Sequence, residues 1–480
     1  MKNNAVLSRR DMLKTGAGSV AGLAASGCGI FGKKRPNLIV VMSDQQRRQA
    51  LGFMNEDPVT TPNLDWFATQ SFVCTDAVTA SPSGAPYRAT LMTGRYPSST
   101  GVTGNEMGLG LDEVTVSQSL KDAGYRTGFI GKWYLYDNGI TDTPTWHFGD
   151  MGQFVPRDHR FGFDYWHASN CNHRAFHLLY YEDDQAPVIN SEGWQPEHDI
   201  DTAISFIERH GTSSEPFALF ISMVPPHNTY GSGFSRHEVF PGEEQLPSLY
   251  HTQYHAPEDY EKPYNNMKFK RRKNVAGNFW AGALPGYFGA CNAVDDQFGR
   301  LLRSLSDQGI YDDTIIAYTS DHGEMMGSHN RKGKGVWYEE SVGIPFFVRW
   351  PDHIVPQQND VLFNSVDVMP TLLGTLGIEV PGTVEGTDYS RLLFGKDMTK
   401  PDSALIGYGN WRALRTPRYT FVARKIPVLD KPDMFMFDNE RDPYQMKPLR
   451  EGESGREFIA LREELWDWLA RTGDDFGKAV

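Results

Sequence analysis

The sequence predicts an α/β fold: a three-layer sandwich around a large, mostly parallel mixed sheet, followed by a small C-terminal subdomain with an antiparallel sheet and a helix. Short apolar runs bounded by polar residues alternate with helix-length amphipathic segments along most of the 480 residues, which is typical of strand–helix–strand units. Beyond about residue 400 the pattern changes to paired short strands and one last helix. We therefore expect a main domain over 36–390 and the subdomain over 400–480.

The N-terminus is predicted to be a targeting signal, so residues 1–28 are left out of the fold. Arg9 and Arg10 lie in a twin-arginine pattern, and a weakly apolar segment rich in Gly and Ala follows them. That segment closes with 23–28, which is similar to a bacterial lipobox with Cys28 as the lipidated residue. We expect export by the twin-arginine route and a lipid anchor at Cys28 that keeps the mature chain in the cell envelope, in the periplasm or at the surface.

The net charge of −13 argues against a nucleic-acid partner, because affinity for a polyanion comes mainly from Lys and Arg on phosphates. An anionic substrate must instead meet a local basic pocket, since the field of the whole chain repels it. The chain has 39% hydrophobic residues and no apolar run of 18 residues. It is therefore predicted to be a globular protein that contacts a membrane only through the N-terminal lipid anchor.

The strands expected in the main domain are short apolar runs that end at polar residues. Such continuous runs are typical of strands buried on both faces of a parallel sheet. The expected strands cover 36–42, 127–131, 217–223 and 314–320. In the same order, the site candidates Asp44, Lys132, His227 and Asp321 follow them. Helices are expected between them at 61–68, 89–94, 116–125, 200–209 and 287–308.

The remaining segments carry weaker signals. The stretch 137–195 is aromatic-rich and is expected to form loops that shape a substrate cleft. The stretch 228–276 is a polar insertion with a basic run at 268–273. The other expected elements are a segment that closes the core at 370–377, antiparallel strands at 412–422 and 434–437, and a last helix at 457–472.

Three cysteines remain once Cys28 is assigned to the lipid: Cys74, Cys171 and Cys291. Their wide spacing fits no metal-ligand pattern. Buried free thiols are one expectation, and one disulfide with one free thiol is the alternative.

Polar pairs follow two of the expected strands. Asp44 and Gln45 come after the first strand, and Asp321 and His322 come after the strand at 314–320. Because the carboxyl ends of parallel strands meet at one edge of a sheet, we expect these four side chains to lie close together. Hard divalent cations prefer oxygen ligands on rigid supports. The sequence therefore predicts a divalent metal site, and the nitrogen of His322 leaves Mn²⁺ open.

One stretch links the chain to a known family. Residues 81–88 (Ser-Pro-Ser-Gly-Ala-Pro-Tyr-Arg) run into Thr93-Gly94-Arg95. This resembles the Cys-or-Ser-x-Pro-x-Arg signature and following helix of the type I sulfatases in the alkaline-phosphatase superfamily. In that family the Cys or Ser is oxidised to formylglycine. Here Pro86 and Arg88 fix the register and Gly84 takes the nucleophile position, so no formylglycine is expected.

The resemblance also implies roles for other residues. Calcium is the family's usual ion, and 43–47 and 320–324 match the family's metal motifs. Arg88, Lys132 and Lys334 match cations that face the sulfate, and His227 matches the histidine beside the leaving oxygen. Tyr134 stands where the family carries the histidine that holds the formylglycine hydroxyl. The implied catalytic set is therefore His227, Lys334, Lys132, Arg88, Tyr134 and Gly84.

The main domain is thus expected to be a sulfatase-like catalytic domain. Our leading hypothesis is a sulfuric-ester hydrolase that acts on a sulfated carbohydrate by a formylglycine-independent, metal-assisted direct attack of water. Two alternatives stay open. One is a catalytically inactive pseudo-sulfatase that binds sulfated glycan, and the other is a phosphoester hydrolase of the same superfamily.

Overall fold

The computed structural model describes most of the chain after the N-terminal segment: residues 35–137, 154–171, 173, 175–183, 189–228, 254, 256–265, 274–275 and 283–479. The predicted signal with Cys28 lies outside these residues, so export and lipid anchoring stay predictions. The basic run at 268–273 also lies outside them. Within the described part, none of the helices combines the length and the apolar composition needed to cross a membrane.

A mixed sheet of eight strands lies at the centre of the described chain. Its pairings are parallel except those of β9 with β2 and β8. This confirms the predicted α/β fold with a large, mostly parallel sheet. From edge to edge, numbered along the chain, the strands are β10 (Gln357–Asn359), β2 (Phe72–Cys74), β9 (Phe346–Arg349), β8 (Thr314–Ser320), β1 (Asn37–Asp44), β7 (Phe217–Pro226), β3 (Arg126–Lys132) and β4 (Tyr165–Ser169).

The central strand β1 is buried on both faces because it is apolar at every position from Leu38 to Met42. Leu38, Val40 and Met42 pack into the core on one side of the sheet. Ile39 and Val41 pack into the core on the other side. Since successive side chains of a strand point to opposite faces, a continuous apolar run is what two covered faces require.

Helices cover both faces of the sheet and form the outer layers. Gly84–Thr93, Val116–Asp122 and Val368–Thr375 pack on one face. The other face carries Pro62–Ala68, Gln195–His210 and Leu284–Asp307. Shorter helices are Pro97–Thr100, Glu258–Glu261, Glu339–Val342 and Ser390–Leu393, and single 3-10 turns are Gly52–Met54, Arg157–Arg160, Lys262–Tyr264, Ser365–Asp367 and Asp475–Ala479.

The expectation of loops over 137–195 is wrong for the described part of that stretch. Strand β4 pairs with β3 at the edge of the central sheet. Trp166 of β4 stacks on Phe129 of β3, with ring centroids 5.4 Å apart. Strands β5 (Phe176–Tyr180) and β6 (Ile189–Trp194) form a separate antiparallel pair. Aromatic packing across strands holds β4 in place, although its sequence lacks the apolar run of a central strand.

A four-stranded antiparallel sheet follows, as predicted. It consists of β11 (Ala404–Tyr408), β12 (Trp411–Arg415), β13 (Tyr419–Arg424) and β14 (Asp433–Asp438). Strand β11 was not expected from the sequence. The Glu451–Arg471 helix packs on this sheet through Leu461, Leu465 and Leu469. The predicted domain limits at 36–390 and 400–480 stay predictions.

The three described cysteines are free thiols. Cys74 and Cys291 are buried, and Cys171 is half-buried. Of the two alternatives that the sequence left open, the structure therefore has free thiols and no pairing among these three residues.

A buried ion network joins the C-terminal sheet to the main core. The Glu339 carboxylate accepts from Arg415 of β12 at 2.7 Å and from Arg48 of the core at 3.0 Å. Asp76 lies 3.4 Å from the Arg415 guanidinium. Burial alone would raise the pKa of Glu339, but the two arginines outweigh it and lower this pKa to about 2.

The variant Glu339→Gln should be destabilised by about 3 kcal/mol near neutral pH, because it removes the nearest carboxylate of Arg48 and Arg415 and leaves them, among the described residues, only the more distant Asp76. The contribution is linked to pH, since a depressed carboxyl pKa stabilises the fold above the unfolded pKa. It should be complete above about pH 4.5 and fade as the pH falls towards about 2. Urea unfolding of both proteins at a series of pH values measures this difference.

The control is Glu440→Gln, which removes an exposed partner of Arg418 and should change the free energy of unfolding by less than about 1 kcal/mol. An equal loss of stability in both variants would contradict the role given to Glu339.

Candidate active site

The site lies where the carboxyl ends of β1 and β8 meet. Ser43 pairs with Ser320 in the parallel register, so Asp44 and Asp321 leave the sheet at the same edge. Gln45 takes a left-handed backbone conformation with φ of 69°, and its N–H donates to Asp321 Oδ1 at 2.8 Å. The strand-end pairs that the sequence singled out are thus brought together.

Asp44, Asp321 and His322 form a group able to hold a metal ion. Their ligand atoms lie within 4.8 Å of one another, and all three residues are buried. Asp44 Oδ1, Asp321 Oδ2 and His322 Nε2 have no hydrogen-bond partner among the described residues. His322 Nδ1 lies 3.0 Å from the carbonyl oxygen of Gly323 and must donate to it, which leaves the Nε2 lone pair free. Three buried orphan atoms of this kind fit a divalent cation.

Electrostatics support the same conclusion. Burial and the neighbouring Asp44 carboxylate raise the pKa of Asp321 to about 7, because two close carboxylates repel each other without a cation between them. Burial and then Lys334 hold the pKa of His322 well below its usual value. A neutral imidazole is the form that binds a metal.

Gln45 was predicted as a further metal ligand. In the structure its amide oxygen accepts from Lys334 Nζ at 2.5 Å. Its amide nitrogen donates to Glu324 and, at 3.3 Å, to Asn228 Oδ1. The side-chain amide is thus engaged by Lys334, Glu324 and Asn228, and its role as a metal ligand stays a prediction. Glu324, which is buried, was not assigned from the sequence.

Two of the predicted cations neutralise Asp44 at Oδ2, the carboxylate oxygen that is not among the three atoms left for a metal ion. Lys132 Nζ lies 2.6 Å from Asp44 Oδ2, and Arg88 Nη2 lies 3.3 Å from the same oxygen. Arg88 Nη1 also donates to the carbonyl oxygen of Lys132 at 2.8 Å and to Ser222 Oγ at 2.6 Å. Burial acts to raise the pKa of Asp44, but the charges of Lys132 and Arg88 hold it well below its usual value.

His227 and Lys334 form a direct pair. Lys334 Nζ lies 2.7 Å from His227 Nε2, and His227 Nδ1 lies 2.7 Å from the carbonyl oxygen of Asn228. Since a carbonyl only accepts, Nδ1 carries the proton and Nε2 accepts from the lysine. Burial, followed by the Lys334 charge, lowers the pKa of His227 well below its usual value. Burial also lowers the pKa of Lys334, which makes the ammonium a better acid.

Gly84 and Tyr134 face each other. Gly84 begins the Gly84–Thr93 helix. A Cβ built on it would lie 3.1 Å from two carbons of the Tyr134 ring and 3.7 Å from Asp321 Oδ2. Tyr134 has a φ of 63°, and its ring lies 4.6 Å from Lys132 Nζ. Ser83, the neighbouring hydroxyl, is directed elsewhere and donates to Asn105 Oδ1 at 2.9 Å.

His173 also belongs to the site, although it was not predicted from the sequence. Its Nε2 lies 3.1 Å from Lys132 Nζ, and its ring lies 4.5 Å from the His227 ring. Burial lowers its pKa well below the usual value, with Lys132 the next cause. It follows β4 in the stretch that was expected to form loops, and no motif marks it.

Two family profiles match the chain. The sulfatase profile covers residues 36–378. The chain belongs to the sulfatase family. The second profile, for the C-terminal region of N-sulphoglucosamine sulphohydrolase, covers residues 327–471. The resemblance drawn from residues 81–95 is therefore confirmed at the level of the family, within the alkaline-phosphatase superfamily.

This sulfatase has relatives with named substrates or linkages. An ulvan-active sulfatase of Formosa agariphila is 31% identical over 465 residues, which cover 92% of this chain and 82% of the relative. An endo-4-O-sulfatase of Bacteroides thetaiotaomicron is 30% identical over 499 residues, which cover 92% of this chain and 93% of the relative.

Solved structures agree with the fold. A structure from work on glycosaminoglycan metabolism by Bacteroides thetaiotaomicron superposes with a TM-score of 0.81 at 28% identity, and it covers 92% of this chain and 97% of that chain. A phosphonate monoester hydrolase of Agrobacterium radiobacter reaches a TM-score of 0.66 at 19% identity, covering 92% of this chain and 96% of that chain. At that identity the likeness shows the fold alone.

The group of Asp44, Asp321 and His322 should bind one equivalent of a divalent cation, with Ca²⁺ and Mn²⁺ as the ions to test. Asp321→Asn should weaken that binding by more than about 100-fold, because it removes one of two carboxylate oxygen ligands. Calorimetric titration of chelator-treated protein measures the stoichiometry and the affinity. Bound ion should also raise the unfolding temperature of the parent protein, since only the folded chain has the site. Ser83→Ala is the control and should bind as the parent does. Equal affinity in the parent and Asp321→Asn would rule out this site.

Proposed function

We propose that this sulfatase hydrolyses a sulfuric ester of a glycan without formylglycine. The observation that carries the proposal is the buried pocket in which Arg88, Lys132 and Lys334 surround the Asp44 and Asp321 carboxylates. Fixed cations in a water-poor site stabilise charge that develops on sulfuryl and leaving oxygens. Family membership supports the ester class, and the names of the relatives support a sulfated glycan.

Asp44, Asp321 and His322 would hold the divalent cation, which we propose to be Ca²⁺, with Mn²⁺ as the alternative. When bound, such an ion polarises sulfate oxygens and lowers the pKa of nearby water. Gly84 offers no side chain to oxidise, so the attacking oxygen must come from water. We expect no formylglycine in the mature protein.

The proton chemistry follows from the His227–Lys334 pair. The water oxygen bonds to sulfur, the sulfur–oxygen ester bond breaks, and the leaving alkoxide takes a proton from Lys334. The attacking water gives up one proton as its oxygen bonds to sulfur. That proton returns through solvent to the neutral lysine, and hydrogen sulfate is the product. His227 accepts from Lys334 and so directs the ammonium, which makes it the positioning partner of the acid.

Tyr134 closes the side of the pocket where a nucleophile side chain would lie. Burial and the nearby Cys171 raise the pKa of its hydroxyl well above the usual value, so it stays protonated. Its ring lies over Lys132, and this cation–π contact steadies the ammonium. We propose that Tyr134 limits the space beside Gly84 to the size of a water.

A cavity of about 150 Å³ supports a glycan as the substrate. Tyr96, Thr103, Tyr408, Arg412 and Asp474 are among the residues that line it, so both the main core and the C-terminal sheet contribute. Arg412 pairs with Asp474 at 2.6 and 3.1 Å, and the two charges cancel. A neutral donor–acceptor pair beside a tyrosine suits sugar hydroxyls and a ring face better than a second anion.

The cavity borders both loops that carry the chemistry. Thr103 lies two residues before Asn105, whose side chain accepts from Ser83 Oγ and from the Ala85 N–H. On the other side, a Cβ on Gly335 would lie 3.2 Å from the Tyr408 ring, and Gly335 follows Lys334. Through Thr103 and Tyr408 the cavity is connected to the loops that carry Gly84 and Lys334, and we propose that a glycan bound there extends to the sulfate pocket.

A pseudo-sulfatase is the second candidate, and the Gly84–Tyr134 contact favours it. A ring 3.1 Å from the site of a Cβ leaves little room for a nucleophile, while the cations and the carboxylates are retained. Such a protein would hold a sulfated glycan without product. For the phosphoester alternative, the phosphonate monoester hydrolase supports no more than a common fold. Parallel assays on an aryl phosphate and an aryl sulfate would show which ester the protein prefers.

Purified parent protein should release sulfate from sulfated polysaccharides, and a chelator should abolish the release. His227→Ala should lower kcat by about 100-fold or more, because Lys334 loses the group that directs its proton. Ion chromatography of released sulfate measures this. Ser83→Ala is the control and should keep parental activity. Tight glycan binding with no product after long incubation would favour the pseudo-sulfatase, and release indifferent to both chelator and His227→Ala would refute the mechanism.

Tyr408→Ala should raise KM for a sulfated oligosaccharide by about tenfold, through loss of the ring contact, and leave KM for 4-nitrophenyl sulfate unchanged. The small ester fills only the sulfate pocket, so the comparison isolates the cavity. Tyr419→Ala removes a half-buried tyrosine of the same sheet that is not among the cavity residues, and it should leave both values unchanged. A parallel change of KM for both substrates in Tyr408→Ala would contradict a sugar site.

A further inference from the structure

A second group of titratable side chains lies away from the active site. His167 is on β4, Glu182 follows β5, and His198 is in the first turn of the Gln195–His210 helix. His167 is buried, whereas Glu182 and His198 are half-buried. The Tyr180 ring lies against both imidazoles, with centroids 4.6 Å from His167 and 4.7 Å from His198. The sulfatase chemistry uses none of these residues.

The two imidazoles meet at their Nε2 atoms. His167 Nε2 lies 3.0 Å from His198 Nε2, and the ring centroids are 5.2 Å apart. His167 Nδ1 lies 3.2 Å from Glu182 Oε1. Since the carboxylate accepts, His167 carries its proton on Nδ1 and points the Nε2 lone pair at His198. Burial lowers the pKa of both histidines, so the neutral form that a metal needs is favoured.

This spacing matches two neighbouring ligands of one metal ion. Metal–nitrogen bonds of about 2.0–2.1 Å that meet at about 90–110° separate the two nitrogens by about 2.9–3.4 Å. A carboxylate on the far nitrogen is the usual support of a metal-bound histidine, because it fixes the tautomer and the ring orientation. Glu182 supplies that support to His167. Without a metal, a single hydrogen bond joins the same two nitrogens.

We propose that His167 and His198 form a second metal site that binds a borderline transition-metal ion such as Zn²⁺ through their Nε2 atoms, with water at the remaining positions. Imidazole nitrogen suits Zn²⁺, Ni²⁺ and Cu²⁺, whereas Ca²⁺ prefers a site rich in carboxylate oxygen, such as the group of Asp44 and Asp321. The two sites therefore differ in the ion they prefer. The half-buried His198 leaves the ion a route from solvent.

The ion would brace the wall of the active site. Strand β4, which carries His167, ends at Ser169. The carbonyl oxygens of Ser169 and Asn170 accept from the N–H groups of Trp133 and Tyr134 at 2.9 and 2.6 Å. A bond from His167 to His198 through the metal would tie this strand to the Gln195–His210 helix. The expected effect is on stability and on the position of the wall, with no part in bond breaking.

The test is a Zn²⁺ titration of the full chain without a histidine tag, in excess Ca²⁺ to occupy the group of Asp44, Asp321 and His322. Competition with a coloured zinc chelator gives the affinity. We expect one Zn²⁺ per chain in the parent, a loss of more than about 100-fold in His198→Gln, and a loss of about 10–100-fold in Glu182→Gln. Zn²⁺ should raise the unfolding temperature of the parent and not that of His198→Gln.

His210→Gln is the control, because His210 ends the same helix and lies outside the cluster; it should bind Zn²⁺ as the parent does. If His198→Gln fails to fold, Glu182→Gln still tests the proposal. The Glu182 side chain is half-exposed, so its replacement should not prevent folding. Equal affinity in the parent, His198→Gln and Glu182→Gln would overturn the proposal. A Zn²⁺ signal that disappears in excess Ca²⁺ would also overturn the proposal, because the Zn²⁺ would then have been bound by the group of Asp44, Asp321 and His322.

Discussion

The charge on Asp44 is the constraint on which the rest of the active site depends. A buried carboxylate is costly unless cations and hydrogen bonds compensate it. Lys132 and Arg88 compensate one oxygen, and the other oxygen has no partner among the described residues. Because Lys132 ends β3 and Arg88 lies in the Gly84–Thr93 helix, these two contacts require both elements to converge on the end of β1. The second oxygen remains available to a cation, so one residue fixes both the scaffold and the chemistry.

The sequence predicted those features of the site that follow from strand order. Asp44 and Asp321 end apolar strands, and strands of that kind lie side by side in a parallel sheet, so their meeting could be foreseen. His227 and Lys334 were assigned through family motifs, and they lie 2.7 Å apart. What could not be foreseen depends on side-chain packing. Strand β4 has no apolar run, and His173 enters the site only because β4 occupies the sheet edge.

We interpret Gly84 and Tyr134 as two departures from the family motif, and in the structure they lie against each other. Each looks like a loss when it is considered alone: one residue has no side chain to oxidise, and the other has no imidazole. In the structure the larger side chain occupies the space beside the smaller residue. Well-packed interiors tolerate changes that conserve volume better than those that leave gaps. The two substitutions are therefore compatible as a pair.

The junction at Glu339 connects the C-terminal sheet to the loop that carries Lys334. Lys334 lies five residues before Glu339, and between them the Gly335 carbonyl oxygen accepts from Trp411 Nε1 at 2.9 Å. The loop that carries Lys334 is thus held by β12 as well as by the main core. It follows that the sheet is no interchangeable module. Exchange of the sheet between relatives, or its loss by proteolysis, would remove residues of the proposed sugar cavity and release the Lys334 loop in the same event. The cavity and the loop are therefore expected to change together in evolution.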